Sequence, residues 1–233
     1  MVNSLNTPAL EVNNLRVDFS ALSGSVQAVR GVSFSVQAGQ TLGIVGESGC
    51  GKSVTMMSLM GLIPMPPGRI VRGEALLNGV DLLKLSDKEA REYRGRDIAM
   101  IFHDPMTSLN PTMKIGQQIS ETLILHKGLS KDKAWKEAVR LMDLTRIPEA
   151  SKRAHQYPFE FSGGMLQRVM IAMAVACQPK VLVADEPTTA LDVTIQDQVL
   201  EIMKDLQKDQ GMSIVLITHD LGVVARMADD VAV

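Results

Sequence analysis

The stretch GESGCGKS, residues 46–53, follows directly after the apolar run TLGIV. Gly46, Gly51, Lys52 and Ser53 match the pattern G-x-x-x-x-G-K-[ST]. Glycines let the backbone curl its N–H groups around a bulky anion, and the positive end of a following helix points at the same charge. In this pattern the lysine reaches the outer phosphates of a nucleotide and the hydroxyl holds Mg²⁺. The stretch therefore predicts a strand, a phosphate-binding loop and a helix.

We expect nucleotide contacts from the whole of this loop, namely Gly46, Glu47, Ser48, Gly49, Cys50, Gly51, Lys52, Ser53 and Val54. Cys50 allows two interpretations. A thiol at a helix N-terminus can become reactive, or the residue is simply small enough to fit. Cys177 is the other cysteine, and the spacing of the two is not that of metal ligands. Both are expected to be reduced, as in a cytosolic protein.

Two carboxylates end another apolar run, VLVADEP, residues 181–187. In a phosphate-loop fold this strand runs beside the first, so Asp185 is expected to face Mg²⁺ through water and Glu186 to polarise an attacking water. A solvated strand end is the alternative for the acids taken alone.

A third strand, SIVLITHD, brings His219 to the same rim, where open α/β sheets bind ligands. Its imidazole can hydrogen-bond a γ phosphate or a water, although a surface histidine is the alternative.

A second glycine cluster, FSGGM, opens a predicted helix without a lysine and without a preceding strand. The cluster predicts another anion-binding helix start, formed by Ser162, Gly163 and Gly164.

The rest of the chain indicates an α/β protein: antiparallel strands near the N-terminus, a helical block over residues 113–147 and a mainly parallel sheet. Residues 65–73 are predicted to form a loop, and Ser86 with Glu89 a capping box.

The composition limits the functional classes. A formal net charge of -2, from 24 basic and 26 acidic residues, removes a general electrostatic case for nucleic-acid binding. The longest apolar run, residues 169–177, is too short to cross a bilayer. The first residues lack the pattern of a secretory signal, and the final DDVAV reads as a sheet strand, so we expect a truncated chain.

Taken together, these motifs resemble those of ATP-binding cassette (ABC) proteins over essentially the whole chain. GESGCGKS is similar to Walker A, VLVADE to Walker B, FSGGM to the signature motif, ALD at 190–192 to the D-loop and His219 to the switch histidine. DPMTSLNP, YPFEFSGGMLQRVMIAMA and DEPTTALDVTIQ look most like cassettes of dipeptide, oligopeptide and nickel importers.

The resemblance implies a P-loop NTPase cassette that binds ATP and Mg²⁺. The implied single domain has a core (about 1–103 and 163–233), with a mainly parallel sheet and an N-terminal antiparallel β subdomain, and an inserted helical subdomain (about 104–162). It also implies further roles. The signature residues and Asp192 serve the nucleotide of a second cassette, identical or paralogous, in a head-to-tail dimer. Phe19 stands where an aromatic ring often stacks on adenine, although an ordinary strand phenylalanine is the alternative. His103 stands where the Q-loop usually has glutamine.

His103 is the notable departure from the family pattern. Imidazole presents one acceptor nitrogen when neutral and suits Mg²⁺ less well than oxygen does. We therefore expect His103, as a metal-side and catalytic residue, to weaken Mg²⁺-dependent hydrolysis or its coupling. Hydrolysis is also expected to vary with pH where imidazole titrates.

The implied function is ATP hydrolysis that drives an importer of peptides. Its partners are two transmembrane permease subunits and, indirectly, a substrate-binding protein, with the chain peripheral at the cytoplasmic face of the membrane. A nickel or metal-chelate importer and a weakly hydrolysing regulatory switch are the alternatives. A DNA-maintenance or translation ATPase fits less well, because the chain has neither heptads nor paired CxxC motifs and holds one cassette. The transported substance is not encoded in this sequence.

Overall fold

The computed structural model describes residues 7–21, 24–189 and 191–233. The strands are β1 Leu10–Ala21, β2 Gly24–Val36, β3 Thr41–Ile44, β4 Gly68–Leu77, β5 Val80–Asp81, β6 Ile98–Ile101, β7 Val181–Asp185, β8 Ser213–Ile217 and β9 Asp230–Ala232. The helices are α1 Lys52–Leu59, α2 Asp87–Tyr93, α3 Pro105–Ser108, α4 Ile115–Lys127, α5 Lys131–Leu144, α6 Ala150–Arg153, α7 Gly163–Val175, α8 Val193–Gln210 and α9 Leu221–Met227.

The chain forms two compact units, Met1–Arg94 with Ser213–Val233, and Gly95–Met212. Each unit contains parallel strands and helices, and the first also holds an antiparallel sheet, so the predicted α/β class is confirmed. The predicted helical subdomain, residues 104–162, lies inside the second unit. The division into a core and an inserted subdomain stays a prediction.

The antiparallel sheet of the first unit has the strand order β2-β1-β4-β5. Along β1 the side chains of Val12, Leu15 and Val17 are fully buried, with a register shift between Val12 and Leu15 that keeps them all on the core face. The predicted loop over 65–73 is wrong from Gly68 onward. Ile70 pairs with Val17 across the sheet, so pairing with β1 draws this segment into β4 despite its prolines and glycine.

Three parallel strands complete the first unit, with β3 between β8 and β9. The five residues of β8 are all buried, as expected of a strand covered on both faces. The predicted capping box is confirmed at the start of α2: the Glu89 backbone N–H donates to Ser86 Oγ, while Glu89 accepts from the Ser86 backbone N–H. Helix α2 therefore begins at Asp87 with Ser86 as its N-cap.

In the second unit β6 and β7 pair in parallel, and all five residues of β7 are buried. Helix α7 is apolar along most of its length, with buried Leu166, Val169 and Ile171, which is the pattern of a helix enclosed by its neighbours. Helix α5 buries only one stripe, which includes Ala134, Ala138 and Leu141. Over the described ranges, no helix combines the length and apolar character required to cross a membrane.

Candidate nucleotide-binding and hydrolysis site

The phosphate loop of the first unit has the predicted strand, loop and helix arrangement. Strand β3 ends at Ile44, and α1 begins at Lys52 with Gly51 as its N-cap. Gly49 has φ 82° and Gly51 has φ 96°, which are left-handed conformations that favour glycine. Residues 47–50 are exposed. The loop therefore presents its backbone at the start of a helix, where N–H groups bind anions well.

The Lys52 ammonium is held within this loop. Its Nζ donates to the carbonyl oxygens of Gly46 at 2.7 Å and Glu47 at 2.8 Å, and lies 3.6 Å from the Sγ atom of Cys50. A Cβ on Gly46 would come within 2.9 Å of the same sulfur atom. A side chain at position 46 would therefore force the Cys50 thiol to move. Both interpretations of Cys50 remain open.

The register of β3 with β8 locates His219 relative to the loop. Ile44 pairs with Ile217, and the Thr218 N–H donates to the Ile44 carbonyl oxygen at 3.3 Å. The strands are parallel, so the phosphate loop and His219 leave the same edge of the sheet. His219 is exposed, and the next residue, Asp220, caps α9 by accepting from the Gly222 N–H at 2.8 Å. The predicted edge position of His219 is therefore observed.

Phe19 lies on β1 and pairs with Val26 and Gly68. Its ring is half-buried, and a Cβ on Gly68 would be 3.2 Å from the ring atom Cε1. The aromatic ring thus packs over the bare backbone of Gly68. A role in stacking on adenine stays a prediction.

The register of β6 with β7 determines which residues lie opposite the carboxylates at the end of β7. Ile101 pairs with Ala184, so the residues two positions farther along, His103 and Glu186, come opposite each other. Nε2 of His103 lies 3.5 Å from Oε2 of Glu186. Asp185 is 6% exposed, whereas the Glu186 side chain is 20% exposed. The structure thus brings together two of the predicted catalytic residues and buries the predicted Mg²⁺-side carboxylate.

Thr189 is a neighbour of Glu186 that the sequence analysis missed. Its Oγ1 donates to Glu186 Oε2 at 2.9 Å, and its N–H donates to the Glu186 carbonyl oxygen at 3.2 Å. Glu186 itself has φ 49°, an uncommon conformation for a residue with a side chain. A hydroxyl three residues after an acid in a turn is the signal that would have identified this contact.

The second glycine cluster opens a groove of about 600 Å³. Ser162 is the N-cap of α7, and its side chain makes no capping hydrogen bond. Asp192 lines the same groove and caps α8 by accepting from the Ile195 N–H at 3.0 Å. A Cβ on Gly164 would come within 2.7 Å of Ile195 Cγ2, so this glycine permits the close approach of α7 to α8. Ala190, the first residue of the predicted ALD segment, lies outside the described residues.

Arg168 also lines the groove, and the sequence analysis missed it. Its Nη1 donates to the Arg146 carbonyl oxygen at 2.8 Å, and its Nη2 donates to Gln198 Oε1. Arg146 in turn contacts Glu201 at 3.0 Å and Asp205 at 2.9 Å on α8. Burial, followed by the charge of Arg146, lowers the pKa of Arg168. These bonds tie the start of α7 to α8.

Comparisons with known proteins show which family the chain resembles. The family model described as ABC transporter matches residues 29–189. The chain is 61% identical, over 97% of its length, to the oligopeptide transport ATP-binding protein OppD of Bacillus subtilis (strain 168), of which it spans 63%. It is 56% identical, over 96% of its length, to the dipeptide transport ATP-binding protein DppD of the same organism, of which it spans 67%. The chain therefore covers about two thirds of the length of these relatives.

A solved structure shares the fold. It is described as a dimeric post-hydrolysis state of the ATP-binding cassette MJ0796 bound to ADP and Pi. The TM-score is 0.82 at 26% identity, over 92% of this chain and 89% of that one. The likeness covers most of both chains, so the fold is that of an ATP-binding cassette. The chain belongs to the ABC transporter family.

Proposed function

We propose that the chain is the ATP-binding and ATP-hydrolysing subunit of an ABC importer that takes up peptides. The observation that carries the ATPase part is the loop of residues 46–53, with its left-handed glycines, exposed backbone and inward-held lysine. The peptide part is supported by relatives that are named as oligopeptide and dipeptide transport proteins.

The residues present fit a nucleotide with Mg²⁺. Gly49 and Gly51 have left-handed φ values, and a Cβ at position 51 would strike the Ala28 carbonyl oxygen, so the loop keeps bare backbone where an anion would bind. Ser53, in the first turn of α1, and Asp185, at the end of β7, each carry an oxygen of the kind that Mg²⁺ prefers as a ligand. The cation supplies neutralisation of phosphate charge when it is bound. The nitrogen of His103 is the poorer donor of the predicted metal-side set.

Within this proposal Lys52 exchanges its carbonyl partners for phosphate oxygens. The bonds that hold it now, to Gly46 and Glu47, keep the ammonium at the mouth of the loop and limit the entropy lost on binding. His219 contributes a hydrogen bond to the γ phosphate or to the attacking water from the sheet edge that it shares with the loop.

Glu186 is the proposed general base, which accepts a proton from the attacking water. Its Oε2 is held by the Thr189 hydroxyl and lies beside His103. A carboxylate held in this way loses less conformational freedom during the reaction than a mobile one. Thr189 and His103 therefore act as positioning residues for the base.

Ser162, Gly163 and Gly164, with Asp192 on the facing helix start, form the proposed half-site for the nucleotide of a second cassette. Support comes from the groove that these residues share and from the dimeric state named for MJ0796. The second cassette is an identical chain or a paralogue. Two transmembrane permease subunits and a substrate-binding protein complete the proposed importer, with the chain peripheral on the cytoplasmic face of the membrane.

The test has two parts. Single-turnover hydrolysis of Mg·ATP by the purified chain is expected, and Glu186→Gln is expected to slow it by about 10²–10⁴-fold without loss of nucleotide binding. In cells that lack this gene, the full-length protein is expected to restore uptake of a labelled tripeptide. Restored nickel uptake without tripeptide uptake would replace peptide by metal as the cargo, and unchanged hydrolysis in Glu186→Gln would reject Glu186 as the base.

A further inference from the structure

The outer face of the antiparallel sheet carries a row of arginines. Arg16 on β1 pairs directly with Arg30 on β2 and with Arg72 on β4. In the next row Asp18 on β1 pairs with Arg69 on β4. Directly opposed residues project from the same face of a sheet at a Cα separation of about 5 Å. We call Arg16, Arg30, Arg69 and Arg72 the arginine face.

The arginine face is the solvent side of the sheet. Leu15 and Val17, on either side of Arg16 in β1, are fully buried, so Arg16 projects from the opposite side. Residues 30, 69 and 72 are exposed. The core face of these strands is filled by apolar residues, whereas the outer face presents guanidinium groups in adjacent rows.

Three of the four charges of the arginine face have no ion-pair partner among the described residues. Asp18 lies 3.5 Å from Arg16 Nε. Glu11 and Glu74 project from the same side of the sheet, but Glu11 accepts from Asn13 Nδ2 and Glu74 lies 3.8 Å from Lys84 Nζ. Arg30, Arg69 and Arg72 have neither an ion pair nor a side-chain hydrogen bond in residues 7–21, 24–189 and 191–233. Every other arginine in those ranges has at least one partner. Like charges directly opposite each other destabilise a sheet, so an anionic ligand at this face would offset a cost already present in the fold.

We propose that the arginine face binds the phosphate groups of anionic lipids at the membrane surface. Guanidinium charges attract lipid phosphates, as ammonium groups also do, and an open sheet face suits a flat array of phosphates. Two exposed apolar residues are close to it in the sequence: Val71, which is 37% exposed, precedes Arg72, and Met65, which is 57% exposed, lies just before β4. The choice of a lipid source rests on the proposed function, which places the chain at a membrane.

The net charge of -2 does not oppose this contact. At physiological salt, charges are screened over about 8 Å, so the local charge decides the attraction. Each arginine near an anionic bilayer is expected to contribute roughly fivefold in affinity. Contacts with the permease add to this effect in the assembled importer, and the arginine face orients the sheet toward the bilayer.

The experiment is co-sedimentation of the purified chain with vesicles of phosphatidylglycerol and phosphatidylcholine, and with phosphatidylcholine alone, at 0.1 M salt. The chain is expected to bind the anionic vesicles. The triple variant Arg30→Gln, Arg69→Gln, Arg72→Gln is expected to bind about 100-fold more weakly, from roughly fivefold for each residue. The matched control Lys88→Gln, Lys204→Gln, Lys208→Gln makes the same charge change at exposed sites and is expected to retain binding.

Three results would overturn the lipid assignment. In the first, the triple variant binds as the parent does, or the lysine control loses as much. In the second, the parent ignores vesicles, while binding of inorganic tripolyphosphate is lost in the triple variant, which would indicate a soluble phosphate ligand. In the third, changing the three arginines to lysine is as damaging as changing them to glutamine, which would indicate a partner that requires the guanidinium fork. Mg·ATP binding and thermal unfolding of each variant separate these results from failure of the ATPase proposal or of folding.

Discussion

The phosphate loop and the groove at the start of α7 both involve glycines at the start of a helix, but the glycines have different physical roles. Gly49 and Gly51 adopt left-handed backbone conformations that the loop itself requires. Gly164 has no such requirement, and its lack of a side chain accommodates Ile195 on a neighbouring helix. The first role is local and can be read from a motif. The second depends on how α7 packs against α8.

Alanine at position 51 tests the local role. Gly51→Ala combines a left-handed φ with a clash against the Ala28 carbonyl, which is backbone and cannot rotate away. Nucleotide affinity is expected to fall at least about 100-fold, or roughly 2.7 kcal/mol, in an equilibrium titration with a fluorescent ATP analogue. Gly39→Ala is the control, because it has φ 75° with open space around a Cβ. Equal nucleotide affinity in the two variants would show that the clash has no importance.

Alanine at position 164 tests the packing role. Gly164→Ala forces Ile195 to move, and overpacking of this kind costs about 1–3 kcal/mol of unfolding free energy. Denaturant unfolding measures the loss. Adding Ile195→Ala, which removes the Cγ2 atom that the new Cβ would meet, is expected to leave the double variant more stable than the sum of the two single losses, while Gly163→Ala, with open space around its Cβ, is expected to be near neutral. Additive effects of Gly164→Ala and Ile195→Ala would contradict the contact.

At the acidic end of β7, the contact is local: Thr189, in the turn after the strand, holds the side chain of the proposed base, Glu186. Thr189→Val removes the hydroxyl but keeps the side-chain shape, and kcat for ATP is expected to fall roughly tenfold, as for loss of one hydrogen bond to a charged group. The KM is expected to stay unchanged, since nucleotide binding does not use this bond. Thr189→Ser retains a hydroxyl and is expected to recover most of the rate. A change in KM alone would exclude a positioning role.

The smallest effect concerns His126 on α4, in the second unit. Burial, and then the charge of Arg96, lowers its pKa in the folded state. The unfolded chain therefore binds the proton more readily than the folded chain does. The free energy of unfolding keeps its whole value above the unfolded pKa of about 6.5 and decreases as the pH falls through that pKa. Unfolding midpoints measured from pH 7.5 to 5.5 are expected to fall slightly more for the parent than for His126→Gln. The reverse order would contradict the sign of this shift.

Much of the site could be predicted because its signals are local. The loop motif defined residues 46–53, and the apolar runs before Asp185 and His219 predicted their strand ends. Ile195, Arg146 and Gln198 could not be found in this way, because their partners in α7 are set by packing between distant segments. The glycine and prolines at residues 66–68 suggested a loop, yet pairing with β1 made Gly68 the start of a strand. Thr189 was missed although its contact is local.

The central claim is that the loop of residues 46–53 binds the phosphates of Mg·ATP through Lys52 and the backbone around it. Equilibrium titration of Mg·ATP against the purified chain and its Lys52→Ala variant tests this claim most directly. The account predicts saturable binding by the parent and a loss of about 100-fold, roughly 2.7 kcal/mol, in the variant. Equal affinity in the two proteins, or failure of the parent to bind Mg·ATP at all, would contradict it.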